Sequence, residues 1–170
     1  MKRHTITAVC SALLLALALS GCGESGGEAY EAAADEIALQ IQLSLQEDIG
    51  LLLIDYEGGT SAGGGGTSHA DKSLIKRDER IIYTLSERVF DSPSDVENLT
   101  LRFTVITEYV DPNYENVYPA EYTKPAGEIT LNARFGETYS ITITGSRADG
   151  YEAVLTEESA APEATSTPNM

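Results

Sequence analysis

Several residue types are scarce in this chain of 170 residues, which has no tryptophan, two cysteines and two histidines. Basic residues are also few, since 11 Lys and Arg stand against 27 Asp and Glu, a formal net charge of −16. A surface of this charge repels nucleic-acid phosphates and anionic lipid headgroups. The composition therefore predicts no nucleic-acid partner and no membrane binding through a basic patch.

Long apolar runs are missing except at the N-terminus, where Lys2 and Arg3 precede a mainly apolar run over residues 8–19. A helix of this length is too short to cross a bilayer, and basic residues followed by a short apolar run are typical of a secretory signal. The sequence predicts that residues 1–21 are a signal peptide and that the rest of the chain is exported.

The apolar run ends in Leu19, Ser20, Gly21 and Cys22. An aliphatic residue, two small residues and a cysteine resemble the lipobox of bacterial prolipoproteins. The resemblance implies cleavage between Gly21 and Cys22, a diacylglyceryl group on the Cys22 thiol and a fatty acid such as palmitate on the new amino terminus. Two or more acyl chains would anchor the protein, because each buried methylene contributes about 0.8 kcal/mol. An ordinary secretory signal or an uncleaved apolar anchor are the alternatives.

This interpretation predicts a lipid-anchored protein on the extracytoplasmic face of a bacterial membrane. It also predicts that the mature protein has no free cysteine thiol. Cys10 would be removed with the signal peptide and Cys22 would be acylated, so neither an internal disulfide nor a thiolate zinc site is expected. Nine basic residues would remain against 27 acidic ones, a formal charge of −18.

Composition divides the exported chain into three parts. Residues 22–36 are rich in Gly, Glu, Ser and Ala and are predicted to be the lipidated cysteine followed by a flexible tether. Residues 157–170 contain no periodic apolar pattern and are predicted to be a disordered tail. Residues 37–156 have the size of one small domain with its own core.

Apolar residues in the central domain mostly recur at every second position, which is typical of half-buried strands. Six or seven short strands with turn signals between them favour an all-β, antiparallel β-sandwich of immunoglobulin-like architecture, without the Cys and Trp pattern of true immunoglobulin domains. Asp149 and Gly150 are predicted to form the turn of the last hairpin. Residues 37–46 stay ambiguous, because Ile37, Ile41 and Leu45 also share the four-residue spacing of a helix.

Two loop segments were considered for catalysis or phosphate binding. The glycine-rich run Gly58–Gly66 lacks the Gly-Lys-Ser/Thr ending of phosphate-binding loops and is interpreted as a mobile hairpin tip. His69 is the one histidine after the signal, and a catalytic or metal site would combine it with Ser68, Asp71 or Ser73. A single loop histidine is more simply explained as solvated, so no catalytic residue, metal site or cofactor is predicted.

Lys72, Lys76, Arg77 and Arg80 form the one local basic cluster. It is suited to an acidic partner, although the neighbouring acidic residues also offset its charge on a solvated strand edge.

A tyrosine-rich segment over residues 108–124 contains the candidate binding residues Tyr109, Tyr114, Tyr118 and Tyr122. Tyrosine presents a flat apolar face with a hydroxyl at its rim, which suits stacking on sugars or docking of a protein surface. The alternative is that these rings pack back onto the sandwich.

These patterns favour a non-enzymatic, membrane-anchored cell-envelope lipoprotein that binds a glycan or a protein. An accessory hydrolase or lyase using surface carboxylates and a purely structural spacer are the alternatives. The sequence leaves the ligand, the oligomeric state and the inner or outer membrane open.

Overall fold

The computed structural model describes residues 30–90, 95–110 and 118–158. The predicted signal peptide and lipobox, Tyr114 and residues 159–170 lie outside these ranges. Within them the chain forms eight strands and a short 3-10 turn, Glu87–Val89, with no α-helix. The strands are β1 (Glu36–Leu45), β2 (Leu51–Gly58), β3 (Ser61–Thr67), β4 (Arg80–Ser86), β5 (Val96–Ile106), β6 (Thr123–Ala133), β7 (Thr138–Ser146) and β8 (Gly150–Glu158).

Two four-stranded sheets face each other. The first sheet has the strand order β4-β1-β7-β8, and the second sheet has the order β3-β2-β5-β6. All neighbouring strands are antiparallel except β1 and β7, which are parallel. The predicted all-β sandwich is confirmed, with two corrections: there are eight strands rather than six or seven, and the first sheet is mixed.

The ambiguous segment at residues 37–46 is a strand. Ile37, Leu39, Ile41 and Leu43 are all at most 1% exposed, and β1 pairs with β4 on one side and β7 on the other. A helix would turn Leu39 and Leu43 away from Ile37 and Ile41 and leave half of these side chains in water. The helical alternative for this segment is therefore wrong.

The glycine run was interpreted as a hairpin tip, but only Gly59 and Thr60 form the turn, because Ser61–Thr67 is the edge strand β3, paired with β2. The reason lies in two tyrosines. The Tyr56 hydroxyl occupies the place that a Cβ on Gly63 would need, and the Tyr83 hydroxyl is 2.9 Å from the Cβ position of Gly65. Glycine thus lets both rings pack against the backbone of β3.

The core lies between the inner faces of the two sheets. Its largest side chain with less than 2% exposure is Tyr139. The Tyr139 hydroxyl donates a 2.7 Å hydrogen bond to Glu137 Oε2 and accepts one of 2.9 Å from the Arg134 amide. The hydroxyl of this buried side chain is therefore hydrogen-bonded, as buried polar groups require. Other large side chains of the core with less than 2% exposure are Phe103, Ile37, Leu39, Ile41, Leu43, Ile49, Leu52, Ile54, Ile75, Leu85 and Leu99.

The described chain begins at one end of the sandwich, which we call the proximal end. The Tyr30 carbonyl accepts a 2.7 Å hydrogen bond from the Thr138 hydroxyl, and the Tyr30 amide donates one of 3.0 Å to Gln40 Oε1. Residues 30–36, assigned to the tether from composition, are thus attached to the first sheet. We call the opposite end, where β1 ends and β4 begins, the distal end.

Candidate functional site at the distal end

The strand order collects four connections at the distal end. They are residues 46–50, 68–79 and 147–149, together with the described ends 107–110 and 118–122 of the connection between β5 and β6. Residues 68–79 contain most of the basic cluster and the connection between β5 and β6 contains the tyrosine-rich segment, so two groups distant in sequence meet at one end. The contact is direct, because Lys72 Nζ lies 5.7 Å from the centre of the Tyr109 ring, within the range of a cation–π interaction.

Three of the four candidate tyrosines are described, and all three are half-buried: Tyr109, Tyr118 and Tyr122. Burial raises the pKa of Tyr118, and the neighbouring Tyr109 raises it further. The Tyr122 carbonyl accepts a 2.9 Å hydrogen bond from the Thr107 amide, which holds the segment to the end of β5. Each of these three side chains is therefore partly buried and partly exposed.

His69 was interpreted as a solvated loop side chain, but it takes part in a chain of hydrogen bonds. Its Nδ1 is 2.8 Å from the Ser73 hydroxyl, and its Nε2 is 2.9 Å from Glu79 Oε1. The Ser73 hydroxyl donates a 2.7 Å bond to Asp71, and the Lys76 amide donates one of 3.0 Å to Glu79 Oε2. The chain of bonds closes the β3–β4 connection on itself.

The hydrogen bonds of this network shift the pKa values of its two carboxylates. Bonds from Ser73 lower the pKa of Asp71. Burial alone would raise the pKa of Glu79, but bonds from His69 and the Lys76 amide outweigh it and lower that pKa. Because the Ser73 proton is directed to Asp71, His69 is not placed as the base of a serine nucleophile. The network therefore stabilises a loop conformation, and Ser68 takes no part in it.

A second network joins the last hairpin to the tyrosine-rich segment. The Glu47 carboxylate accepts hydrogen bonds from the Tyr151 hydroxyl and, at 2.6 Å, from the Arg147 amide. Arg147 Nη1 donates a 2.9 Å bond to Glu108 Oε1. Burial and the bond to Glu47 both raise the pKa of Tyr151. Sequence reasoning missed Glu47, Glu79 and Arg147, since their partners are distant and no local spacing marks them.

Within the basic cluster, Lys76 is paired with a carboxylate. Lys76 Nζ lies 2.8 Å from Asp48 Oδ2, and this bond is the main reason why the pKa of Asp48 is lowered. The Arg77 amide also donates a 3.0 Å bond to Asp48. Asp48 thus offsets the charge of Lys76 and holds the backbone of Arg77.

Three further observations apply to the described ranges. No group of three His, Cys, Asp or Glu side chains in them is arranged to hold a metal ion. No helix in this part of the chain is long and apolar enough to cross a membrane. The Thr107 hydroxyl, at the base of the tyrosine-rich segment, is buried without a hydrogen-bond partner among these residues.

Comparison with known proteins gives little guidance. No protein-family model matches the sequence, and no curated protein sequence matches it. Among solved structures, the human-specific toxin intermedilysin has a TM-score of 0.34 at 10% identity, over 73% of this chain and 24% of that one. A non-hemolytic pneumolysin from Streptococcus pneumoniae has a TM-score of 0.35 at 12% identity, over 72% of this chain and 24% of that one.

The membrane-binding domain of pneumolysin has a TM-score of 0.31 at 10% identity. The alignment covers 76% of this chain and 98% of that domain. The chain spans about a quarter of the two longer toxins. Similarities of this size carry no argument about family or function.

Proposed function

We propose that this protein is a bacterial cell-envelope lipoprotein, anchored through acylated Cys22 on the extracytoplasmic face of a membrane. In this proposal the domain is a non-enzymatic binding module for a glycan or a protein. The binding surface is the distal end, formed by the tyrosine-rich segment and the β3–β4 connection.

The observation that carries the proposal is that attachment and candidate binding surface lie at opposite ends of the sandwich. Tyr30 is fixed at the proximal end, whereas Tyr109, Tyr118 and Tyr122 follow β5 or precede β6 at the distal end. A strand of ten residues such as β1 spans about 33 Å. A tether at one end thus leaves the other end accessible.

The distance to the membrane supports the same orientation. Only residues 23–29 separate Cys22 from Tyr30, and eight peptide steps reach at most about 28 Å. The proximal end would stay close to the headgroups, and the strongly acidic surface would be repelled from anionic lipids. The distal end would be held away from the membrane.

The tyrosines supply the chemistry of recognition. Each ring offers an apolar face and a hydroxyl, and aromatic rings lose little conformational freedom on binding. The Lys72 contact restricts the Tyr109 ring further before a partner arrives, and the backbone bond between Thr107 and Tyr122 fixes the main chain that carries the Tyr122 ring. Such preorganisation favours affinity.

The anchoring part is tested by fatty-acid labelling in a bacterial host. The parent chain is expected to incorporate labelled palmitate and to sediment with membranes, whereas Cys22→Ala loses both. Cys10→Ala is the matched control and should keep both. Label that persists in Cys22→Ala contradicts the anchoring.

The binding part is tested by capture on glycan arrays and from solubilised envelopes, using the full chain. Tyr118→Ala is expected to reduce capture at least tenfold, which corresponds to about 1.4 kcal/mol. Tyr30→Ala changes a similarly accessible tyrosine at the proximal end and should leave capture unchanged. Equal capture by Tyr118→Ala and the parent chain contradicts binding through the distal end.

A further inference from the structure

The edge strand β3 presents unpaired backbone groups along one side of the sandwich. The strand order β3-β2-β5-β6 gives β3 a described neighbour on one side only, so alternate residues of Ser61–Thr67 direct their amide and carbonyl groups away from β2. Most of these residues are exposed. Such a row of backbone donors and acceptors is a template for the pairing of another strand.

Proteins usually protect such edges with charged residues, prolines or bulges. The other three edge strands of the described sheets contain these features: Arg80 in β4, Pro125 and a bulge in β6, and Glu152 in β8. By contrast, β3 contains no charged residue and no proline, and its seven pairs with β2 follow one another without a register shift. It therefore lacks the usual obstacles to the addition of a strand.

Side chains of β2 lie over the outer face of β3. Asp55 Oδ1 occupies the place that a Cβ on Gly64 would need. The ends of the Leu51 and Leu53 side chains lie 3.0 Å from the Cβ position of Gly66. Residues two apart on a strand share a face and lie about 7 Å from each other. A strand added to this edge would therefore meet a carboxylate and, two residues further along, leucine side chains.

Asp55 is level with Arg102 on β5 but takes no part in its ion pairs. The Arg102 guanidinium donates to Glu128 at 2.7 Å and to Glu57 at 3.3 Å. The exposed Asp55 carboxylate is instead turned towards β3. Three carboxylates around one guanidinium leave this part of the sheet negatively charged, so it attracts a basic side chain.

We propose that β3 binds an extended segment of another protein as an additional strand, with a lysine or arginine opposite Gly64 and an apolar residue opposite Gly66. Directly opposite residues on neighbouring strands have Cβ atoms about 5 Å apart, so the basic side chain reaches the Asp55 carboxylate. The apolar side chain contacts Leu51 and Leu53. Backbone hydrogen bonds supply affinity, and the two side-chain contacts supply specificity.

Charge complementarity selects the occupant of this edge. No lysine or arginine occurs after Cys22 outside the described ranges, that is, in residues 23–29, 91–94, 111–117 and 159–170. These parts of the chain therefore cannot supply the basic residue. Two copies joined edge to edge, with Gly64 opposite Gly64, would bring their Asp55 carboxylates together, and like charges directly opposite each other are destabilising. A basic segment of a different protein fits the edge better than either.

A synthetic peptide of sequence Thr-Leu-Thr-Lys-Thr-Leu-Thr, called the lysine peptide, tests the proposal on the full chain in detergent. It reads the same in both directions, so it fits parallel or antiparallel addition. On titration, the NMR amide signals of Ser61–Thr67 are expected to shift. A glutamate peptide, in which glutamate replaces the lysine, should bind about tenfold more weakly or worse. No shift in β3, or equal binding of both peptides, overturns the proposal.

N-methylation of the lysine peptide tests the backbone pairing. Because a strand bonds to its neighbour through alternate residues, N-methyl groups either on the leucines and the lysine or on the two inner threonines should abolish binding. The other set should leave it within about threefold, since those amides point away from β3. Equal effects of the two sets contradict the addition of a strand.

Charge reversal tests the contact with Asp55. Asp55→Lys is expected to prefer the glutamate peptide over the lysine peptide by about tenfold or more. Glu152→Lys makes the same change of net charge at an exposed position of the first sheet and should keep the preference of the parent. An unchanged preference in Asp55→Lys contradicts the contact.

Two further measurements separate this proposal from its alternatives. It does not rest on the proposed function, so Tyr118→Ala, which is expected to lose capture at the distal end, should bind the lysine peptide as the parent does. Loss of peptide binding in Tyr118→Ala would place the peptide at the distal end and overturn the proposal. Signals of β3 that shift with protein concentration alone would assign the edge to a second copy and also overturn it.

Discussion

The Thr138 hydroxyl donates a 2.7 Å hydrogen bond to the carbonyl of Tyr30, 108 residues earlier in the chain. This bond attaches the N-terminal segment to β7 at the proximal end. It fixes where the predicted tether joins the domain, and thereby which end of the sandwich points away from the membrane in the proposed arrangement.

Thr138→Val keeps the shape of the side chain but removes the donor to Tyr30. Because a hydrogen bond of this kind contributes about 1 kcal/mol net, residues 30–36 are expected to exchange amide hydrogens roughly fivefold faster while the strands keep their protection. Hydrogen-exchange mass spectrometry measures this. Thr144→Val, an exposed position on the same strand, is the control, and unchanged exchange in Thr138→Val would show that the bond does not hold the segment.

Tyr139→Phe is expected to destabilise the protein by about 1–3 kcal/mol, because it removes the acceptor of the partly buried Arg134 amide bond and the donor to Glu137. Tyr30→Phe removes an exposed hydroxyl bond to Glu36 and should cost less than about 0.5 kcal/mol. Urea unfolding compares the two variants. Equal stability of the two would contradict the role given to the Tyr139 hydroxyl.

Gly50 permits a close approach between the β1–β2 connection and the start of the tyrosine-rich segment. A Cβ at this position would collide with the backbone of Glu108 and the amide nitrogen of Tyr109. Because backbone moves less readily than side-chain ends, Gly50→Ala is expected to cost more than about 2 kcal/mol.

The matched control is Gly66→Ala, whose new methyl group would meet only the ends of the Leu51 and Leu53 side chains at 3.0 Å. It should change stability by less than about 1 kcal/mol, since those ends can rotate. Thermal unfolding ranks the two variants, and a Gly50→Ala protein as stable as Gly66→Ala would contradict the packing described.

Acid is expected to loosen the β3–β4 connection. The pKa values of Asp71 and Glu79 are lowered in the folded protein from ordinary values of 3.8 and 4.5. A lowered folded pKa means that the ionised carboxylates stabilise the fold above these values and that this contribution is lost as pH falls below them. Melting temperatures of the parent should therefore decline below about pH 4.5.

Glu79→Gln should be less stable than the parent at neutral pH and should lose less stability on acidification. Substitution of the exposed Glu97, which takes part in none of these bonds, should leave the pH profile as in the parent. Parallel profiles for Glu79→Gln and the parent would contradict the network.

The sequence predicted the elements whose burial follows a simple period. In β5, alternate side chains from Leu99 to Val105 enter the core, so their alternation predicts the strand. The same alternation runs from Ile37 to Leu45 in β1, but the four-residue spacing of Ile37, Ile41 and Leu45 left a helix as an alternative. The hairpin at Asp149 and Gly150 was also predicted, because Asp-Gly is typical of such turns. Gly150 has the positive φ of +93° that the turn requires.

Tertiary contacts determine what the sequence did not predict. Glycine has low strand propensity, and β3 forms because Tyr56 and Tyr83 pack where its side chains would be. The parallel pairing of β1 with β7 joins residues about a hundred positions apart, and nothing local to either strand encodes it. The start of β6 is hidden by Pro125 and Gly127, which interrupt the alternation at a bulge of this edge strand.

The candidate site was predicted in part. The tyrosines and the basic cluster were identified from composition, but their meeting at one end depends on strand order. The partnership of His69 with Glu79 was missed because ten residues separate them around a turn.

Site-specific photocrosslinking in the native cells tests the central claim most directly. A photoreactive residue at Glu121, exposed between Tyr118 and Tyr122 at the distal end, is compared with one at Ala34, exposed at the proximal end. The account predicts a discrete envelope adduct from position 121 that disappears with Tyr118→Ala, and no such adduct from position 34. The same adduct from both positions, or none from position 121, would contradict it.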